Sequence, residues 1–132
     1  MSKLQSGKNR VGRVHDFVVE YKILNESQGG RKTLPSQGIK WDFAYVNEKH
    51  KPNDLFMIWP QFLDKNGQVI PKSNDPVPPS GKARMWIVDD GMRKYHVDKI
   101  YVGMKANGME GSRPVADYVV TEIGGLISNP IR

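Results

Sequence analysis

A run from residue 39 to residue 46 constrains this chain most, because large apolar side chains occupy every second position. Ile39, Trp41, Phe43 and Tyr45 fall on one side, and the residues between them are mostly polar or small. A β-strand points successive side chains to opposite faces of its sheet. The run therefore predicts a strand with one buried face, as is typical of an antiparallel sheet.

Similar patterns recur along the chain, separated by turn signals such as Gly29-Gly30, Asn66-Gly67 and Gly111-Ser112. Pro60 limits its segment to an edge or an end of a sheet. The predicted strands cover residues 18–23, 39–46, 55–59, 82–88, 99–104 and 115–123. Several short, regularly punctuated strands favour a closed barrel or a sandwich. The prediction is an all-β, six- or seven-stranded closed antiparallel Greek-key barrel.

One segment breaks the extended pattern. Residues 90–98 predict a short helical turn, which Asp89 or Asp90 would cap. The proline-rich stretch 71–81 predicts a surface loop. We expect one domain at residues 14–127, because 132 residues fit a single domain.

Residues 1–13 are polar and contain four basic residues and no acidic one. They predict a flexible basic tail, which is either solvated or a short arm that touches phosphates. Four of the six net positive charges of the chain lie in this tail. The remainder of the chain is therefore nearly neutral.

Sequence signatures of catalysis are missing. There is no phosphate-cradling Gly-x-x-x-x-Gly-Lys-Ser/Thr loop and no Gly-x-Ser-x-Gly elbow. His15, His50 and His96 are far apart and lack metal-ligand spacing. We therefore expect no enzyme, cofactor, metal or nucleotide site.

No apolar run is long enough to span a membrane, and a chain without cysteine fits a reducing compartment, so a cytoplasmic location is expected.

Two stretches carry a resemblance. Residues 18–45 contain an alternating strand, then Gly-Gly-Arg-Lys-Thr, then the Gly-led aromatic run Gly-Ile-Lys-Trp-Asp-Phe-Ala-Tyr. Residues 110–116 read Glu-Gly-Ser-Arg-Pro-Val-Ala. In this order the two stretches resemble motifs in the C-terminal β-barrel domain, the third domain, of bacterial elongation factor Tu and related translational GTPases.

The resemblance implies a six-stranded antiparallel barrel and a kind of partner. In that family the barrel docks against a GTPase domain, contacts an exchange factor and touches the backbone of aminoacyl-tRNA. Positions that match the RNA-facing loops, or flank them, are candidate binding residues for tRNA, another structured RNA or a translation-related protein. These candidates are Arg31, Lys32, Thr33, Glu110, Gly111 and Arg113. Arg113 has a second interpretation, as a structural partner of Glu110 or of a carbonyl.

The residues themselves leave three functions open: an RNA-binding module, a protein-interaction module unrelated to translation, and a small-ligand-binding barrel. Large residues predicted to form the core are Trp41, Phe43, Tyr45, Met85 and Tyr118. Trp59 and Trp86 are interpreted as core residues or, if exposed beside Arg84, as a docking patch. Arg93 and Lys94 are predicted to be solvated.

Overall fold

The computed structural model describes residues 14–46 and 54–128. The predicted basic tail, residues 1–13, lies outside these ranges. Six strands form one sheet in which every pairing is antiparallel, in the order β2-β5-β6-β1-β4-β3. The strands are β1 (Phe17–Ile23), β2 (Asp42–Tyr45), β3 (Ile58–Phe62), β4 (Ser80–Ile87), β5 (Lys105–Glu110) and β6 (Arg113–Ile123).

The sheet curls so that its end strand β2 lies beside the segment just before β3. Phe43 in β2 and Phe56, just before β3, exchange two backbone hydrogen bonds of 2.8 and 2.9 Å. The all-β, antiparallel, six-stranded prediction is confirmed in the form of a curled half-barrel. Closure into a complete Greek-key barrel stays a prediction.

β1 shows why these sequences form strands. Its residues Phe17, Val19, Tyr21 and Ile23 point into the core, while the intervening Glu20 and Lys22 are exposed. β1 lies between β4 and β6 in the centre of the sheet. A central strand needs partners on both sides and one apolar face, and the period of two supplies that face.

β2 is shorter than the sequence predicts, because its partner ends. Asp42 pairs with Met109, so Trp41 lies beside Glu110, the last residue of β5. Beyond Glu110 the chain turns into β6, and residues 39–41 have no neighbouring strand to extend the ladder. Alternation alone therefore overestimated the length of this strand.

β3 includes Pro60, which lies five positions after Leu55, the predicted start of this strand. β3 is an end strand, so the prediction that proline limits this segment to an edge is confirmed. Met57 and Leu63 make hydrogen bonds to β4 on either side of β3. Pro60 lies three positions from each of these residues, and backbone groups alternate in direction along a strand, so those of Pro60 point away from β4. The N–H that proline lacks therefore breaks no hydrogen bond between β3 and β4.

The helical turn near 90–98 is confirmed as a 3₁₀ turn, Asp90–Met92, followed by the helix α1 (Arg93–His96). The Asp89 carboxylate accepts a 3.0 Å hydrogen bond from the Gly91 backbone N–H and caps the turn. A second short helix, α2 (Gly125–Ser128), follows β6.

Residues 99–104 form no strand, contrary to the prediction. The Met104 N–H bonds to the Tyr101 carbonyl at 3.0 Å, and Gly103 has φ +91°. A left-handed glycine favours a turn over an extended segment. β5 therefore begins only at Lys105.

The core is mainly aromatic and aliphatic. All five large residues predicted for it are buried, and Trp86 is also buried while Trp59 is partly exposed.

Arg93 was predicted to be solvated, and that prediction was wrong, because its side chain is 1% exposed. Its guanidinium lies 3.1 Å from the buried carboxylate of Asp16, so the charge is compensated inside the protein.

No helix in residues 14–46 and 54–128 has the length and apolar character needed to cross a membrane.

Candidate binding cleft

The two family-like loops meet at one end of β1. The turn after β1 joins the start of β6 through a 2.8 Å hydrogen bond from the Leu24 N–H to the Val115 carbonyl. Between this turn and the β5–β6 hairpin lies an open cleft of about 490 Å³. Its lining residues are Glu26, Gly29, Gly30, Arg31, Lys32, Thr33, Glu110 and Arg113.

The turn after β1 is rigid for local reasons. Asn25 accepts a 3.1 Å hydrogen bond from the Gln28 N–H, and the Gln28 side chain accepts one of 3.0 Å from the Asn25 N–H. This reciprocal pair is a capping box. Gly29 then ends the 3₁₀ turn Glu26–Gln28 with φ +85°. The sequence Asn-x-x-Gln-Gly therefore fixes the path that brings Arg31 to the cleft.

Gly30 lies so close to Leu24 that no side chain fits. A Cβ at this position would be 2.1 Å from the Leu24 carbonyl oxygen. Gly111 has φ +60° and open space around it. Gly111 is therefore suited to the conformation of the hairpin turn, and the close approach occurs at Gly30.

Glu110 is the centre of the cleft. Its Oε2 forms an ion pair with Arg31 Nη1 and accepts a 2.8 Å hydrogen bond from Trp41 Nε1. Its Oε1 lies 3.4 Å from Arg113 Nη2. Three donors from three segments of the chain therefore converge on one carboxylate, and this arrangement fixes its position.

These contacts set the ionisation of Glu110. Partial burial raises its pKa, but the hydrogen bonds from Trp41 and Arg31 and the positive charges of Arg31 and Arg113 outweigh burial, so the pKa lies below its ordinary value. Glu110 is therefore a stable anion at neutral pH. A carboxylate of lowered pKa is a weak base, which suits a positioning role better than proton transfer.

The basic residues of the cleft differ in exposure. The Arg31 side chain is 23% exposed, and its Nε donates a 3.0 Å hydrogen bond to the Thr33 carbonyl. The Arg113 side chain is 56% exposed. Lys32 is 82% exposed, and its Nζ is 4.0 Å from the Glu26 carboxylate. The Arg31 guanidinium is thus held by contacts within the protein, while the charged groups of Lys32 and Arg113 face solvent.

The structure therefore brings together residues that the sequence predicted separately. Arg31, Glu110 and Arg113 are in direct contact, Lys32 and Thr33 line the same cleft, and Gly111 forms the adjacent turn without lining it. Sequence reasoning missed two participants. Glu26 carried no signal, and the alternation identified Trp41 only as a core residue, although its indole N–H holds Glu110.

Within the described ranges, His, Cys, Asp and Glu side chains form no group of three that would hold a metal ion. The structure thus defines a curled antiparallel sheet with a charged open cleft at one end of its central strand. No family model matches this chain, and no curated protein matches it. The likeness to the elongation factor barrel consequently depends on the two motifs alone.

Proposed function

We propose that this protein is a non-catalytic binding module whose cleft contacts the phosphate backbone of a structured RNA. The observation that carries the proposal is the meeting of the two motifs. Arg31 and Glu110 are 79 positions apart in sequence and form one ion pair in the cleft. The same two loops are the ones that the resemblance to the translational barrel assigned to RNA contact.

Exposed cations on a rigid support favour phosphate as the ligand. Lys32 and Arg113 project from two different turns, both anchored to strands of the sheet. Lysine and arginine supply the charge-assisted hydrogen bonds that phosphates accept. Because the turns are fixed by the capping box and by Glu110, little loop ordering is needed on binding.

The proposal includes a closed barrel related to that of elongation factor Tu. Support comes from the paired hydrogen bonds between Phe43 and Phe56, which connect the two end strands. A closed barrel would leave no free edge for aggregation and would hold the cleft loops rigidly. The non-catalytic part of the proposal is supported by Glu110, whose lowered pKa and three donors make it a poor general base.

A protein partner, such as a GTPase domain, is the second candidate. The specific observation is the charge of the cleft, where Glu26 and Glu110 accompany three basic residues. A nearly balanced cleft suits a protein surface that carries both signs of charge.

RNA binding is tested by fluorescence anisotropy with unfractionated tRNA over a series of salt concentrations. We expect binding at low salt that weakens as salt increases, because phosphate contacts release counterions. Lys32→Ala and Arg113→Ala should each reduce the salt slope by about one. Lys94→Ala, an exposed lysine on α1 outside the cleft, is the matched control and should leave the slope unchanged.

Undetectable tRNA binding at about 50 mM salt would contradict the RNA proposal, because electrostatic contacts are strong there. Equal effects of Lys32→Ala and Lys94→Ala would contradict the assignment to the cleft. Recovery from lysate of a protein partner that resists nuclease and is lost in Lys32→Ala would support the second candidate instead.

A further inference from the structure

A second concave surface lies beside β3 and shares no lining residue with the cleft. It has a volume of about 320 Å³ and is formed by residues 37–40, 59–61 and 69–72. We call it the β3 groove. It contains Trp59, the tryptophan that is only partly buried. Neither the two motifs nor the proposed RNA contact gives this surface a role.

The β3 groove combines an apolar floor with a basic rim. Lys40 and Lys72 are its only charged lining residues, and both are positive. The cleft, in contrast, contains two glutamates. Six of the eleven residues that line the groove are apolar, namely Ile39, Trp59, Pro60, Val69, Ile70 and Pro71. The surface therefore complements a ligand that carries both apolar and negatively charged groups.

Contacts with the protein position both lysines at the groove. Lys40 Nζ lies 5.2 Å from the centroid of the Trp59 ring, in a cation–π contact. The Lys72 side chain crosses Gly38, where a Cβ would come within 2.9 Å of Lys72 Cε. A glycine at position 38 thus leaves room for the lysine stem. Both ammonium groups are pre-positioned, which lowers the entropy lost when an anion binds.

The free edge of β3 is poorly suited to backbone hydrogen bonding with an added strand. Pro60 offers no backbone N–H. At Phe62 the Gln37 side chain takes both main-chain groups, accepting from the N–H at 2.8 Å and donating to the carbonyl at 2.8 Å. Gln37 therefore occupies the position of a neighbouring strand. A peptide in this groove must be recognised through its side chains rather than by strand pairing.

We propose that the β3 groove binds a short acidic peptide segment of a partner protein, with an apolar side chain against Trp59 and Ile70 and carboxylates on Lys40 and Lys72. A single-stranded nucleic acid fits less well. The groove has two lysines in a mostly apolar lining and so offers few groups to a chain of phosphates.

The test is fluorescence anisotropy with labelled peptides of about twelve residues, with the whole protein as binder. The first peptide carries two leucines flanked by aspartates and glutamates. In the second peptide serines replace the leucines, and in the third lysines replace the acids. We expect the first to bind and each of the others to bind at least ~10-fold more weakly, because both parts of the groove contribute.

Lys40→Glu combined with Lys72→Glu should weaken binding of the first peptide by about tenfold or more. Its matched control is Lys65→Glu combined with Lys94→Glu, which changes the net charge equally at exposed positions outside the groove. All four lysines are exposed or at the rim, so both double variants should fold. Trp59→Leu should also weaken binding, whereas both double variants should keep the native circular dichroism spectrum.

Three results would overturn the proposal: no binding of the first peptide at about 1 mM, equal weakening in the two double variants, or tighter binding of an oligouridylate of the same length. The last result would reassign the groove to nucleic acid. The tRNA experiment uses other residues, so its failure and the failure of this proposal are distinguishable.

Discussion

Two arginine–carboxylate pairs lie at opposite ends of β1, a strand about 24 Å long. Before β1, Asp16 and Arg93 are 0% and 1% exposed. After β1, Arg31 and Glu110 are 23% and 26% exposed. The two pairs have the same chemistry in different surroundings. Burial makes the first a part of the folded core, and partial exposure makes the second a part of a surface that a ligand can reach.

The buried pair connects four parts of the fold. Asp16 precedes β1, and its second carboxylate oxygen accepts a 2.8 Å hydrogen bond from the Ile87 N–H at the end of β4. Arg93 in α1 donates a 2.9 Å hydrogen bond to the Gly125 carbonyl at the start of α2. Without Arg93, the buried Asp16 carboxylate would lose its ion-pair partner. Without Asp16, Arg93 would keep only the Asp90 carboxylate, which lies 3.6 Å from its Nη1 and is 37% exposed.

In the cleft pair, Glu110 has other partners besides Arg31. Glu110 is also bound by Trp41 and by Arg113, whose side chain is mostly in solvent. Water screens such a pair, so it contributes less to stability. The comparison assigns more of the stabilisation to the buried end of β1 and the proposed binding role to the open end.

The largest effect is expected at the buried end. Asp16→Ala should lower the free energy of unfolding by about 3–5 kcal/mol, because Arg93 would keep its charge without its main partner. Urea denaturation followed by circular dichroism measures the change. Asp75→Ala, at an exposed position, is the control and should change stability by less than about 0.5 kcal/mol. A loss below about 1 kcal/mol for Asp16→Ala would show that the buried pair is not a main support of the fold.

A smaller effect is expected in the turn that carries Arg31. Gly30→Ala should destabilise the protein by about 2–3 kcal/mol, since its methyl group would overlap the Leu24 carbonyl. Gly29→Ala is the matched comparison, because Gly29 has open space and only its φ of +85° opposes a side chain. It should cost about 1 kcal/mol. The same urea experiment compares them, and equal losses would contradict the steric argument.

The cleft pair itself should contribute less. Glu110→Gln keeps the shape and an oxygen acceptor for Trp41 but removes the ion pairs, so we expect a loss of about 1–2 kcal/mol at neutral pH. Because folding lowers the pKa of Glu110, its contribution is present above the ordinary value of 4.5. It should diminish as the pH falls below that value.

Stability measured against pH tests this sign. The difference between the parent protein and Glu110→Gln should shrink on acidification, while the difference between Asp75→Ala and the parent serves as the reference. If this difference in the free energy of unfolding stays constant or grows below about pH 4, the ionised, paired state of Glu110 is contradicted.

The smallest effect on stability is expected at the rim. Arg113→Ala should change the free energy of unfolding by less than about 0.5 kcal/mol, because the side chain is more than half exposed and its contact is long. The same variant should weaken tRNA binding measured by anisotropy. A large loss of stability would instead support the structural interpretation of Arg113.

The sequence alone determined the strands with strong local patterns. Alternation placed Val19, Tyr21 and Ile23 on the buried side of β1, and the Glu-Gly-Ser-Arg run predicted the β5–β6 turn. Asp89 or Asp90 was the predicted cap of the helical turn, and Asp89 is the residue that caps it. These features depend on neighbours within a few positions, so a single sequence contains the information for them.

Only the tertiary structure decided which charges became partners and which surfaces remained open. Arg93 carries no local sign of burial, and its partner Asp16 lies 77 positions away. Trp41 was recognisable as a core residue, but not as a donor to Glu110. The β3 groove likewise combines three separate segments of the chain. Contacts of this kind arise when the sheet curls, and their energies depend on distances and burial that no local pattern records.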